Sequence, residues 1–421
     1  MYMSTDNVIF RDKDYVMYTL YSGIKQGLPL SPILFIFYIN DIFDTFRRIH
    51  GRCIEDIYKL IHLLIHADDV TLLAVNRDDV IKKLRTLSEY CGLNYIIPQF
   101  TKCMFIVVNG SKEDEIPLPF GDSMLKHVGH LEILGSHIDE SVSLIDELEL
   151  HMKKRFKSVI KFFNFCKENR LAPISVKLKA LRACVESSLL YNCETFGPKI
   201  PKTLESTYHK LIRTALNVRT NTPVLSLYIE SGLLPIRALV EARQFKFFIR
   251  FQKSLDPDGD RKIVFDELLQ DPPSYLQHYL TLHTKYENHH QIYREYIDDV
   301  KRKIQENAAK PGGSKFNMYL KINPTLQTSP FIACMHPLSG DIVRFRLGSH
   351  NLPIEKGRWR RLNREERVCA SCNVVGDEHH VLYECSLVFR DDLDLSDDMS
   401  CIWTQEDVFR LFGRIKETDF L

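Results

Sequence analysis

The sequence predicts an α+β chain built from several domains, and three observations predict it. Over the first 110 residues the hydrophobic periodicity alternates in the order ββ-α-ββ-α-β, which implies an antiparallel sheet with helices packed on it. From 141 to 250 the periodicity is mainly helical. The last ninety or so residues change to short elements carrying Cys and His. At 421 residues the chain is too long for one ordinary core, so two to four domains are expected.

Residues 1–22 alternate polar and apolar and read as two strands joined by the turn "RDKD". "SPILFIFYINDIFDTF" (31–46) reads as one helix. Ser31 can cap it, Pro32 suits its first position, and its apolar residues are dense enough to bury most of its circumference. "LLIHADDVTLLAV" (63–75) is strand, turn, strand. Residues 77–92 form an amphipathic helix with Ile81, Leu84, Leu87 and Cys91 on one face and Gly92 closing it. A strand follows over 102–110 and a short hairpin over 131–138. "SLDPDGD" (254–260) is a break rich in turn residues, and "AAKPGGSK" (308–315) is a linker candidate. The chain therefore divides into 1–140, a helical region 141–250, a helical connection 251–335, and a C-terminal basic and Cys/His segment 336–421.

Hydrophobic content of 44% and charged content of 26% are those of a soluble globular protein. No apolar run reaches membrane-span length, and the N-terminal residues lack a basic-then-apolar signal pattern. No membrane partner is expected. Eleven cysteines without secretory features suggest free thiols and a metal site, and hence an intracellular location, nuclear or cytoplasmic. The net charge of +1 conceals an uneven distribution. Residues 153–182 hold ten Lys/Arg against one acid, Glu168, while "DDLDLSDD" (391–398) holds five Asp. That asymmetry suits a protein that handles a polyanion, and it equally suits a solvated helix face.

Four stretches carry candidate chemistry. Asp68 and Asp69 interrupt an apolar run: Asp favours a hairpin turn, and paired carboxylates on rigid strands also suit Mg²⁺. In "YSGIKQGLPLSPILF" (21–35), Gly23, Gly27, Pro29, Ser31 and Pro32 make a tight loop that feeds a helix N-terminus. Gly27 would let that loop lie flat on a ligand, Gln26 offers a donor and an acceptor, and the helix start favours a phosphate; an ordinary strand-to-helix connection is the alternative. "CASCNVVGDEHHVLYEC" sets Cys369-x2-Cys372-x7-His380-x4-Cys385, three thiolates and an imidazole for a closed tetrahedral Zn²⁺ shell. His379 competes with His380 there, and a metal-free thiol cluster is the alternative. Upstream, Arg344, Arg346, His350, Lys356, Arg358, Arg360 and Arg361 lie in sequence near Trp359, a pattern suited to phosphate contact and base stacking or to a solvated basic surface.

The order of "GIKQGLPLSP", a helix and "HADD" resembles the reverse transcriptases of non-LTR (LINE-type) retrotransposons. "LEILGS" (131–136) is similar to that family's primer-grip hairpin, "SSLLYNCETFG" (187–197) to a thumb signature, and "LIRTALNVRTNTP" (211–223) to the stretch after it. Asp377, Glu378, His380, Leu382 and Cys385 match its C-terminal finger, which favours His380 over His379. The resemblance implies a partial polymerase palm over 1–140, a helical thumb over 141–250 and a C-terminal CCHC zinc finger. It implies an RNA-directed DNA polymerase with an RNA template and a DNA primer as partners. Asp68 would be a Mg²⁺ ligand with Asp69 as its neighbour, in a two-metal nucleotidyl transfer. Gln26, Gly27, Pro29 and Ser31 would lie beside nucleotide and template, and Leu134 and Gly135 in the primer grip. Lys153, Lys154, Arg155 and Lys157 on the thumb, with Arg358 and Arg360 before the finger, would contact nucleic acid.

Departures from the family pattern temper the expected activity. The family's further catalytic aspartate lies several tens of residues before the Gly-Gln-Gly loop, and here only 22 residues precede Gly23. His66 replaces the usual aromatic, and Phe100 stands in place of the family's first Lys in "YIIPQFTKCM". The expectation is a fragment inactive by itself that binds Mg²⁺ weakly, with the missing N-terminal half as a partner. A noncatalytic RNA- or DNA-binding protein using the thumb and zinc finger is the other reading.

Overall fold

The computed structural model describes residues 5–11, 14–20, 29–51, 61–141, 144–195, 201–255, 259, 261–263, 266, 289–308, 310, 314–404 and 406–421. The chain divides into two compact units, Met1–Val142 with Leu255–Asp271, and Ser143–Ser254 with Pro272–Leu421. No helix among the described residues is long and apolar enough to cross a membrane.

The first unit opens on the expected antiparallel pair, β1 (Thr5–Arg11) and β2 (Asp14–Leu20), with Arg11 opposite Asp14. The helix expected over 31–46 is two helices, α1 (Ser31–Tyr38) and α2 (Ile42–His50). Leu30, not Ser31, is the N-cap of α1, and Pro32 sits in its first turn as expected. The break falls at Asn40 and Asp41, poor helix formers; the Tyr90 hydroxyl donates to Asp41 Oδ1 at 2.5 Å. None of the α1 residues is buried, against the expectation, whereas α2 buries Ile42 and Phe46.

Strands β3 (Leu63–His66) and β4 (Asp69–Leu72) form the expected hairpin. Helix α3 runs Arg77–Leu93, one residue past Gly92, and Asn94 ends it. At its start the Asn76 side chain accepts the Asp79 N–H at 2.9 Å, an N-cap. Leu84, Leu87 and Cys91 face the core as the periodicity demands, Ile81 only partly. Lys83 is buried with them, and its Nζ donates to Leu73 O at 2.8 Å and to Asp79 Oδ2 at 2.9 Å, which ties the helix to the exit of β4.

The strand expected over 102–110 shrinks to β5 (Met104–Phe105) after a 3₁₀ turn at Phe100–Lys102. It pairs in parallel with β7 (Ser123–His127), which pairs antiparallel with β6 (Leu118–Phe120). In β8 (His130–Ile133) and β9 (Ser136–Asp139) the expected hairpin is present. Its two turn residues, Leu134 and Gly135, have φ of 51° and 82°, the left-handed pair a type I′ turn requires. Ile42, Phe46, Leu63, Leu84, Tyr90, Leu118, Phe120 and Leu125 form the core. Among the described residues the strands form separate two- and three-stranded sheets, not one continuous sheet.

The second unit is helical: α4 (Leu144–Glu168), α5 (Ile174–Ala180), α6 (Lys202–Leu216), α7 (Val224–Ser231), α8 (Ile236–Lys253), α9 (His289–Ala308), α10 (Ser314–Ile322), α11 (Ser339–Arg346), α12 (Pro353–Trp359) and α13 (Val408–Glu417). Its main apolar core runs from Val159, Leu181 and Leu211 to Phe345, Leu382 and Phe412, and a smaller cluster of Ala242, Phe245, Ile249 and Tyr296 joins α8 to α9. The Cys/His segment thus grows out of the same core as the helices before it. Three of those helices meet at a buried acid: Arg346 on α11 donates to Glu230 on α7 at 2.7 and 3.2 Å, and Tyr319 Oη on α10 donates to the same carboxylate at 3.0 Å.

Candidate functional site

The β3–β4 turn consists of Ala67 and Asp68, with Asp69 the first residue of β4, opposite His66. Ala67 takes φ of 52°, a left-handed conformation that costs an L residue about 1 kcal/mol. Leu63, Ile65 and Leu72 pack toward the core, which anchors the hairpin and leaves both Asp68 and Asp69 exposed at its tip. Oxygen donors on a rigid turn suit a hard divalent cation. Among the described residues no third His, Cys, Asp or Glu joins them within ligand distance. Pro29 is exposed just before α1, and Ser31 is its half-buried first residue. Gln26 and Gly27 lie outside the described residues. Leu134 is exposed at the tip of the β8–β9 turn, beside Gly135.

In the second unit Lys153, Lys154, Lys157 and Lys161 on α4 are exposed, and the positions 153, 157 and 161 share one helix face. Arg155 is half-buried, its guanidinium 4.7 Å above the Tyr191 ring. The basic run does not act as one surface, however. Lys177 is buried, its Nζ donating to Arg170 O at 2.8 Å, and burial lowers its pKa.

The basic residues around Trp359 are likewise sorted by burial. Arg346 is occupied by Glu230, and His350 is fully buried with its Nε2 3.0 Å from Glu378 Oε1; neither can reach a phosphate. Hydrogen bonding and the positive field of His350 outweigh burial and hold the Glu378 carboxyl below its usual range. Arg344 pairs with Asp341 at 3.5 Å, and Arg358 pairs with the buried Glu355. Arg360 is exposed. Sequence reading missed Arg219, whose guanidinium stacks 4.1 Å above the Trp359 ring while donating to His350 O and Asn351 Oδ1, both at 2.6 Å. It missed Glu230 as well, for which the signal was an acid inside the apolar run "VLSLYIES". In the acidic run, Asp392 pairs with Arg414 and Arg410, and the Arg414 hydrogen bonds chiefly bring its pKa down to about 2.

Cys369, Cys372, His380 and Cys385 converge, one ligand atom from each lying within 4.8 Å of all the others. The Sγ atoms of Cys369 and Cys372 are each 3.9 Å from Cys385 Sγ. A tetrahedron of Zn–S bonds about 2.3 Å long sets its sulfurs about 3.8 Å apart, so the spacing fits zinc. His380 Nε2 is buried with no hydrogen-bond partner, the state of a nitrogen that a metal would satisfy. Its Nδ1 lies 3.3 Å from Glu384 Oε2, the outer carboxylate that orients a ligating imidazole. His379 is exposed and outside the group. The Ser386 hydroxyl and N–H, 3.2 and 3.3 Å from Cys372 Sγ, lower that thiol to about 6. At Cys369 burial opposes ionisation, but N–H groups of Cys372 and Ser371 bring the pKa below normal. Burial pushes Cys385 up to about 11. Three sulfurs and one nitrogen complete the shell without an open position, which makes a zinc site here structural.

Residues 3–138 match the family model described as reverse transcriptase (RNA-dependent DNA polymerase), about a third of the chain. The match contains the Asp68–Asp69 hairpin and the β8–β9 hairpin up to Ile138. No solved structure matches the chain. Over that segment the chain is similar to an RNA-directed DNA polymerase, a class that works on a nucleic-acid template and primer with divalent metal.

Proposed function

We propose that this chain is the palm-and-thumb part of an RNA-directed DNA polymerase of the non-LTR retrotransposon type, carrying a structural CCHC zinc site. The observation that carries the proposal is the exposed carboxylate pair Asp68–Asp69, the last turn residue and the first residue of β4, inside the segment similar to reverse transcriptases. Asp68 would be the magnesium ligand and Asp69 its neighbour. Bound there, divalent ions would neutralise charge on a triphosphate and activate a primer 3′-hydroxyl. The strand pair fixes Asp68; Leu134 and Gly135 would support the primer end, and Gln26, Gly27, Pro29 and Ser31 would take the template and nucleotide side. Lys153, Lys154, Arg155 and Lys157 would hold the template–primer duplex, and Arg358 and Arg360 the strand beyond it.

Two carboxylates alone hold Mg²⁺ weakly, because Mg²⁺ sheds water reluctantly. A polypeptide of these 421 residues is therefore expected to bind an RNA template annealed to a DNA primer without extending it. Mn²⁺ titration followed by electron spin resonance should show a weak site that Asp68→Asn removes. Primer extension by the purified chain, abolished by Asp68→Asn, would overturn the expected inactivity. Failure to bind the template–primer duplex at low salt would overturn the assignment itself.

A further inference from the structure

Trp359 ends α12 with 51% of its surface exposed, whereas the chain's other indole, Trp403, is 5% exposed. One side of the ring is covered by Arg219, whose guanidinium is fixed by its bonds to His350 O and Asn351 Oδ1. The ring is thus held in place from behind, while the rest of it meets solvent. Beside it in the chain stand Lys356, Arg360 and Arg361, all exposed, whose side chains have no hydrogen bond or ion pair among the described residues. Lys356, Trp359 and the C-cap residue Arg360 are spaced i, i+3, i+4, so these two cations and the indole share one side of the end of α12. Arg361 takes φ of 58° and turns the chain immediately after the helix. Cations at a helix C-terminus complement its dipole, but that does not account for a solvent-facing indole clamped by an arginine.

We infer that Trp359, Lys356, Arg360 and Arg361 form a platform for an unpaired nucleic-acid strand, with one base stacked on the indole and the adjoining phosphates on the three cations. A base inside a duplex has no free face to offer, whereas an unstacked base does. The exposed α4 lysines stand beside Phe156, a smaller ring than an indole, and suit duplex phosphates. The platform rests on the nucleic-acid reading above and adds a second site, one that needs neither Asp68 nor a primer end.

The chain has two tryptophans, and Trp403 is 5% exposed, so quenching of Trp emission by a ligand reports on Trp359. Oligo(dT) and oligo(U) added to the full chain should each quench to saturation, the two arms measuring preference for DNA or RNA. A blunt duplex and heparin should leave the emission unchanged. By anisotropy of a labelled oligonucleotide, Trp359→Ala should weaken binding about tenfold, the scale of one lost base stack. Trp359→Phe, which keeps a ring, should restore most of it. Joint replacement of Lys356, Arg360 and Arg361 by Ala should lower the single-strand salt slope by about 2, at about 0.7 per phosphate contact. Equal quenching by duplex, or unchanged affinity in Trp359→Ala, would overturn the platform. Loss of single-strand binding with template–primer binding intact overturns the platform alone, whereas absence of both overturns the nucleic-acid reading as well.

Discussion

Gly376 stands so close to Pro353 that a Cβ on Gly376 would fall 2.6 Å from Pro353 Cγ, and the Ile354 N–H donates to Gly376 O at 3.1 Å. The turn between the second and third zinc-type ligands is thereby pressed against the start of α12. Pro353 is a ring with little freedom to move aside, so Gly376→Ala should destabilise the second unit by about 1–3 kcal/mol, the usual cost of overpacking. Thermal unfolding checks this, and an unchanged midpoint would show that the contact gives way easily.

The Cys/His group should bind one zinc per chain. Ring placement distinguishes the two adjacent histidines: His380→Ala should lose the metal, whereas His379→Ala should keep it, because His379 is exposed and outside the group. Metal analysis of the purified variants reads the difference. Chelation should also lower the unfolding temperature of the wild-type chain, since binding energy at a structural site is folding energy.

Arg346 separates structural from nucleic-acid roles. Its side chain is 4% exposed and paired with a Glu230 that is fully buried, so Arg346→Ala strands a carboxylate and should cost about 3–5 kcal/mol. Folded Arg346→Ala protein, examined below its lowered midpoint, should bind nucleic acid with an unchanged salt slope. A changed slope would place Arg346 at a phosphate after all.

Legibility followed sequence distance. The β8–β9 hairpin and the Cys/His group were readable because each is written within one short segment. The β6–β7 hairpin is hard to read from sequence although Gly121, at φ of 57°, sits in its turn, because Pro117 and Pro119 are residues that disfavour strand. The division of the 31–46 helix was signalled by Asn40 and Asp41 but outweighed by the apolar residues around them. Arg346 looked like a surface cation because its partner lies 116 residues away, and nothing local reveals burial. Arg219 is similar: its stacking on Trp359 depends on the core that joins α6 to α12.

His209 gives the second unit an acid-sensitive point. It shares a 2.8 Å hydrogen bond with the Tyr228 hydroxyl, and burial first, then the Arg213 charge, lower its pKa below the usual 6.5. The unfolded chain therefore takes up a proton at higher pH than the folded one. Stability should fall as pH drops below about 6.5, and the loss should level off once the folded imidazole also protonates. His209→Gln should flatten that part of the profile in denaturant titrations across pH 7 to 5, relative to wild type. An identical profile would assign the acid sensitivity to other groups.

The lysines of α4 offer the most direct reading of duplex binding. Lys153, Lys154 and Lys157 are exposed, so changing all three to Gln removes charge without opening the core. If each meets one phosphate, the slope of log K against log salt should fall by about 2 to 3, at about 0.9 per contact on duplex DNA. Lys177 lies in the same basic run and serves as the internal control. It is buried, with Nζ bonded to Arg170 O, so Lys177→Met should leave the slope unaltered while shifting stability. A basic stretch acting merely through its net charge would give a drop for every lysine removed. A drop confined to the exposed three would show that the helix presents a defined phosphate-binding face.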